Sequence, residues 1–181
     1  MSVWKVCGSV GLVLSAFSAQ AFNEPGNILR DFEFNDAESC WGVTSARRGQ
    51  IESFEGLAEP LFYLQGKGAG SLHQSFDVEA RTWYVLSFRY RLTADGKGEK
   101  PDGVPFDCAV NVAPGETDAA FQPKTLGAMC LGATERWGRA RLYFQTDDAP
   151  RASLNVALLS GDWQVGRIFV RKANDRDRLY G

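Results

Sequence analysis

The stretch from Thr82 to Leu92 reads Thr-Trp-Tyr-Val-Leu-Ser-Phe-Arg-Tyr-Arg-Leu. Tyr84, Leu86, Phe88, Tyr90 and Leu92 share one parity, and Trp83, Val85, Ser87, Arg89 and Arg91 share the other. A period of two puts each set on its own face of a pleated strand, whereas a helix would scatter both sets around its axis. One face therefore packs into a core. The other presents two guanidinium groups and an indole, more than solubility requires.

The same grammar recurs along the chain. Strand-like segments are expected at Ile28 to Phe34, Trp41 to Thr44, Gly49 to Phe54, Leu61 to Gln65, Ser71 to Val78, Phe106 to Val112, Thr125 to Leu131, Arg139 to Thr146, Ser153 to Leu159 and Gln164 to Lys172. Gly66-Lys67-Gly68-Ala69-Gly70 reads as a hairpin turn, and Ala94 to Pro105 and Ala113 to Lys124 read as long loops. Many short strands with no helical period between them imply an all-β, antiparallel two-sheet sandwich or barrel. The two long central loops suit a jelly roll.

Residues 1–21 read as a signal peptide: Lys5, a short apolar run from Val6 to Phe17, and the small-x-small site Ala19-Gln20-Ala21. The expected organisation is a signal over 1–21, one jelly-roll domain over 22–172, and a charged tail over 173–181 that frays. This implies a periplasmic or secreted protein. No other apolar run is long enough to cross a bilayer. With 20 Lys and Arg against 22 Asp and Glu and no basic run, nothing points to nucleic acid.

Export implies an oxidising compartment. Cys108 and Cys130 are the preferred disulfide, each in an apolar strand-like segment with a long loop between. Closing a loop of about 20 residues would stabilise by roughly 3 kcal/mol. Cys40, beside Trp41, reads as a buried free thiol. No cysteine or histidine spacing suits a metal, and no phosphate-binding loop occurs, so no metal or cofactor is expected.

The candidate chemistry lies on outward faces. Trp83, Arg89 and Arg91 share one, and Arg139, Arg141, Tyr143 and Gln145 share another. If the two strands adjoin, guanidinium, phenol, amide and indole form one surface. Planar donors can hydrogen-bond hydroxyl pairs or carboxylates, and several arginines favour an anionic glycan. The competing reading is a solvated sheet face with Arg paired to nearby acids. Trp41 and Trp163 sit in or beside turns and are ligand-platform candidates, while Trp137 reads as core and Phe54, Phe62 and Phe121 as core or loop anchors. His73 is the only histidine. With Gln74, Tyr143 and Arg141 it makes up the residue types of a jelly-roll polysaccharide lyase, the enzymatic alternative, but without lyase motif order. A third alternative is a protein-docking module, which requires a contiguous exposed apolar patch.

Four segments together resemble the carbohydrate-binding modules of the galactose-binding-like jelly-roll superfamily, the type appended to secreted cellulases and xylanases. They are Asn27-Ile28-Leu29-Arg30-Asp31-Phe32-Glu33, the Gly-rich stretch into Ser71-Leu72-His73-Gln74-Ser75-Phe76, Thr82 to Arg91, and Thr134-Glu135-Arg136-Trp137 with Leu142 to Thr146. The resemblance covers most of residues 22–172. It implies a jelly roll and non-catalytic glycan binding. Family members often carry an Asp pair before the last apolar strand, one of which helps hold a calcium. Here that place reads Gly166-Arg167-Ile168-Phe169-Val170, where a guanidinium opposes a cation. Glu33 and Asp162 are the only acids near enough to compensate.

Overall fold

The computed structural model describes residues 26–36, 40–51, 54, 60–93, 106–116 and 124–178. The expected signal peptide, the loop over 94–105 and Phe121 lie outside them. The strands in chain order are β1 (Gly42–Ile51), β2 (Leu61–Asp77), β3 (Trp83–Thr93), β4 (Cys108–Pro114), β5 (Gly127–Leu131), β6 (Thr134–Gln145), β7 (Arg151–Leu158) and β8 (Asp162–Lys172), followed by a single helical turn, α1 (Asp175–Arg178). All pairings are antiparallel.

The seventeen-residue β2 organises the fold. Its first half pairs with β8 over Tyr63–Lys67, and its second half pairs with β7 over Gly70–Asp77. It therefore belongs to two layers. One runs β5-β4-β7-β2, and the other runs β2-β8-β3-β6. β1 follows β2 along its far edge in both layers and turns with it through a bulge at Ser45 (φ 57°). At the opposite end the layers also approach: a Cβ on Gly127 of β5 would lie 3.0 Å from Cβ of Phe144 of β6.

The expected hairpin turn at Gly66 to Gly70 is thus the bend of one strand. The glycines serve close approach. A Cβ on Gly66 would overlap the indole of Trp163 and the carbonyl oxygen of Ser45, and one on Gly70 would lie 2.7 Å from Cζ2 of Trp163. Read as punctuation, glycine signals a turn. Here it makes room for a large ring.

The core lies between the layers. Tyr84, Leu86, Phe88 and Leu92 are buried as the alternation requires, and they meet Leu72, Phe76, Val110, Val112, Leu154 and Val156 from the other layer. Residues 26–36 close one end without forming the expected strand, since Asp31 and Phe34 have positive φ (49° and 56°). This segment is held instead by specific bonds. Ile28 N–H donates to the Val170 carbonyl (2.8 Å), and the buried Gln74 amide bonds the backbone of Arg30 in both directions.

The disulfide expectation is corrected by register. Cys108 faces Leu131 and Cys130 faces Ala109, so the two thiols point to opposite sides of the ladder. None of Cys40, Cys108 and Cys130 is in a disulfide; Cys40 is half-buried rather than buried, Cys108 is buried and Cys130 exposed. Burial, with Cys130 and Asp107 adding, pushes the Cys108 thiol up to about 12. In the native protein a thiol reagent is expected to modify Cys130 within minutes and to reach Cys108 only on unfolding. Equal native reactivity of both would contradict this register.

Candidate functional site

The outer face of the β1-β2-β8-β3-β6 layer carries the candidate site. β3 and β6 do adjoin. Arg89 faces Arg139, Ser87 faces Arg141, Val85 faces Tyr143, and Trp83 faces Gln145. The expected residues are therefore brought together, but the face is divided into three parts.

The middle is filled by aromatic rings. Phe54, Tyr63 and Trp137 meet edge to face with centroids 5.5 and 5.6 Å apart, and the Arg89 guanidinium lies 5.5 Å from the Phe54 ring. A neighbouring Gly49 lets the Tyr63 ring lie across β1.

The lower part is closed by the chain end. Val85 and Ser87, outward by parity, are buried (3% and 9% exposed). Arg141 and Arg171 converge on Asp177 of α1, whose side chain is 6% exposed. The described part of the charged tail, residues 173–178, is thus held through Asp177. The Arg171 hydrogen bonds hold the Asp177 carboxyl at about 2, below its ordinary 3.8, against the opposing effect of burial; the Asn174 N–H and the Arg141 charge assist. A lowered folded value stabilises the protein above the ordinary one and is lost as pH falls through the folded one. Acid unfolding should therefore lose this contribution between about pH 4 and pH 2. Asp177→Asn should flatten that part of the stability profile, which denaturation at stepped pH would measure.

The upper part is open. A cleft of about 690 Å³ is lined by Ser45, Arg47, Gln65, Lys67, Arg91, Thr93, Asp162 and Gln164, with Ala46, Gly66 and Trp163 beneath. One register row crosses it: Arg47 on β1, Gln65 on β2, Gln164 on β8 and Arg91 on β3. Adjacent strands lie about 4.8 Å apart, so the backbones bearing the two arginines are about 14 Å apart. Arg47 and Arg91 are exposed, with no ion pair among the described residues. Gln164 donates weakly to Gln65 (3.5 Å), which leaves its own Oε1 buried without a partner. Among the described lining residues, three cationic side chains stand with one acid, Asp162.

Of the expected residues, only Arg91 and Trp163 line this cleft. Trp163 does so from the core, fully buried, with its indole N–H unpartnered. Trp41 is also core, 2% exposed and donating Nε1–H to the Asp31 carbonyl (3.1 Å). Neither ring can serve as a platform, because a turn position in the sequence did not mean exposure in the fold. Trp83, by contrast, is 40% exposed, but at the far end of the face, beside Gln145, whose amide donates to the Arg81 carbonyl. Arg47, Gln65, Lys67 and Gln164 escaped the sequence reading because the Gly66 to Gly70 stretch hid the continuity of β2.

The lyase-like set is not assembled. His73 lies outward on the other layer, Gln74 is buried in the core, and Tyr143 and Arg141 face out from the opposite layer. At the place where the resemblance led to an expected Asp pair, Arg167 occupies a bulge (φ 48°), its guanidinium 5.7 Å from the Phe169 ring. Glu33 accepts from Asn35 instead (3.2 Å). Among the described residues no group of three or more His, Cys, Asp or Glu could hold a metal ion, and no helix is long and apolar enough to cross a membrane.

No family model and no curated protein matches the sequence. Solved structures do match the fold. A carbohydrate-binding module of family 4 superposes with TM-score 0.50 at 13% identity, covering 77% of this chain and 93% of that one. The xylan-binding CBM22-1 domain of a Paenibacillus barcinonensis xylanase gives 0.51 at 13%, covering 81% and 95%. The chain has the fold of these modules. A galactotriose-bound module, TmCBM61, agrees (0.50, 14% identity, 81% and 99% covered). The enzymatically active domain of bacteriophage CBA120 tailspike protein 4 contains the same arrangement (0.54, 12%), and there this chain spans 75% of its own length but only 20% of the phage protein's. The likeness to these modules is one of fold.

Proposed function

We propose that this chain is a non-catalytic glycan-binding protein, that its binding surface is the cleft crossed by Arg47, Gln65, Gln164 and Arg91, and that it takes a carboxylate-bearing glycan. The observation that carries the reading is that row itself. Two unpaired guanidinium groups flank two carboxamides on consecutive strands, with an acceptor, Gln164 Oε1, left unpartnered. Carboxamides both donate to and accept from hydroxyls, and an arginine fork matches a carboxylate. The span of about 14 Å suits an extended chain better than a single sugar. Among the described residues no exposed aromatic ring lines the cleft, so on this proposal recognition rests on hydrogen bonds and charge rather than on stacking. The fold shared with a xylan-binding domain and a galactotriose-bound module supports the glycan-binding part of the reading.

The docking-module alternative lacks its contiguous apolar patch among the described residues. Among the described residues, Trp83 is the only exposed large hydrophobic side chain. Residues 1–21 serve, on this proposal, as a cleaved export signal, which N-terminal sequencing of the exported protein tests.

The binding test is affinity electrophoresis through gels containing polygalacturonate, alginate, xylan or galactan. Retardation by the uronate polymers, weakening as salt screens the arginines, is the expected result. Retardation by the neutral polymers alone removes the anionic part of the proposal, and retardation by none removes it entirely.

A further inference from the structure

The lower part of the same face holds a second pair of guanidinium groups, and a carboxylate already sits on it. Arg171 of β8 donates from Nη1 and Nη2 to the two carboxylate oxygens of Asp177 (2.6 and 2.9 Å), and Nη2 of Arg141 on β6 lies 3.8 Å from Oδ1. Beneath Arg141, whose guanidinium is 5.8 Å from the Tyr143 ring, the Tyr143 hydroxyl is buried without a partner. The strands supply two cations and a phenol, and no acid. The acid arrives from the chain end just after β8.

The way α1 is held matters. Ala173 N–H donates to the Trp83 carbonyl (2.9 Å), and Asn174 and Asp177 bond one another. Asn174 and Asp175 are exposed, and Asp177 is the only buried side chain among those described in residues 173–178. Among the described residues no large apolar side chain anchors the turn. A contact resting on one carboxylate can be exchanged for the same contact from another molecule, because the guanidinium fork recognises the carboxylate and not the chain that carries it.

We propose that Arg141 and Arg171, with the Tyr143 hydroxyl, form a second carboxylate-binding site that Asp177 fills in cis and that the carboxylate of a uronic acid can fill in its place. Ser87, beside Arg141, lies four residues along β3 from Arg91, about 13 Å. Displacing the turn would open this site toward Trp83, on the far side of the aromatic rings that fill the middle of the face. The choice of a sugar acid rests on the glycan reading above, whereas the site itself does not.

The test therefore uses the full chain and small carboxylates rather than a polysaccharide. Asp177→Ala removes the carboxylate from the site. Sodium acetate and sodium glucuronate, each against sodium chloride at equal ionic strength, are expected to raise the Tm of Asp177→Ala by roughly 3 °C near ten times Kd. The rise should exceed that of wild type and of Asp177→Ala/Arg171→Ala, in which any rise beyond chloride reports the cleft alone, and an equal rise in all three overturns the site. Asp177→Asn, closer in shape, replaces the alanine variant if that one does not fold. No rise with either carboxylate overturns the site, and a rise with acetate but none with glucuronate overturns the ligand class. Because polysaccharide affinity is not the readout, a cleft that fails to bind polymers leaves this test standing.

Discussion

Replacing Trp163 with alanine is expected to destabilise the protein by about 3–5 kcal/mol, the range for emptying a large buried aromatic position. That corresponds to a Tm lower by roughly 10 °C in a chain of this size. The indole is fully buried and lies across Gly66 and Gly70, where no side chain could stand. Those glycines are where β2 passes from one layer to the other, so the ring fills the hinge of the sandwich. Thermal and urea unfolding followed by circular dichroism measure the effect. A ligand platform would behave differently, with glycan affinity falling while Tm held. Gly66→Val tests the same packing from the opposite side, since its side chain must displace the Trp163 ring or the β1 backbone.

Arg47→Ala combined with Arg91→Ala is expected to weaken uronate binding by about a hundredfold or more. A hydrogen bond to a charged group is worth about 1.5–3 kcal/mol, and 1.4 kcal/mol is tenfold in affinity. Each single variant should therefore cost about tenfold. Both side chains are exposed and neither is ion-paired among the described residues, so stability should change by no more than about 0.5 kcal/mol. Calorimetric titration of the single and double variants, with their Tm values alongside, separates recognition from folding. Arg139→Ala is a useful control, since Arg139 shares the outer face but does not line the cleft.

The fold was legible because alternation survives wherever a strand buries one face. Tyr84 to Leu92 shows this directly: every residue assigned inward is buried except Tyr90, which is half-buried. The adjacency of β3 and β6 stood only as a condition in the sequence, and the structure meets it, with Arg89 and Arg139 opposite each other. What could not be read was what covers an outward face. Val85 and Ser87 are outward by parity and buried by their surroundings, with Phe169, Arg171, Arg141 and Tyr143 flanking them in register. The ionic partner of Arg141 is Asp177, a residue beyond the last strand that no strand alternation links to it. Glycine misled in the other direction. The Gly66 to Gly70 stretch has the composition of a turn, and only the position of Trp163 explains why it is strand. Cys108 and Cys130 failed as a pair because their neighbouring strands put them one residue out of register, an offset that spacing along the chain cannot reveal.

The most direct test of the central claim is to titrate isotope-labelled protein with a uronate oligosaccharide while following side-chain amide and guanidinium resonances. The account predicts that the Gln65 and Gln164 carboxamides and the Arg47 and Arg91 guanidinium groups shift together on binding, with His73 on the opposite face unchanged. Shifts confined to the His73 face, or saturable binding that leaves Gln65 and Gln164 unmoved, would contradict it.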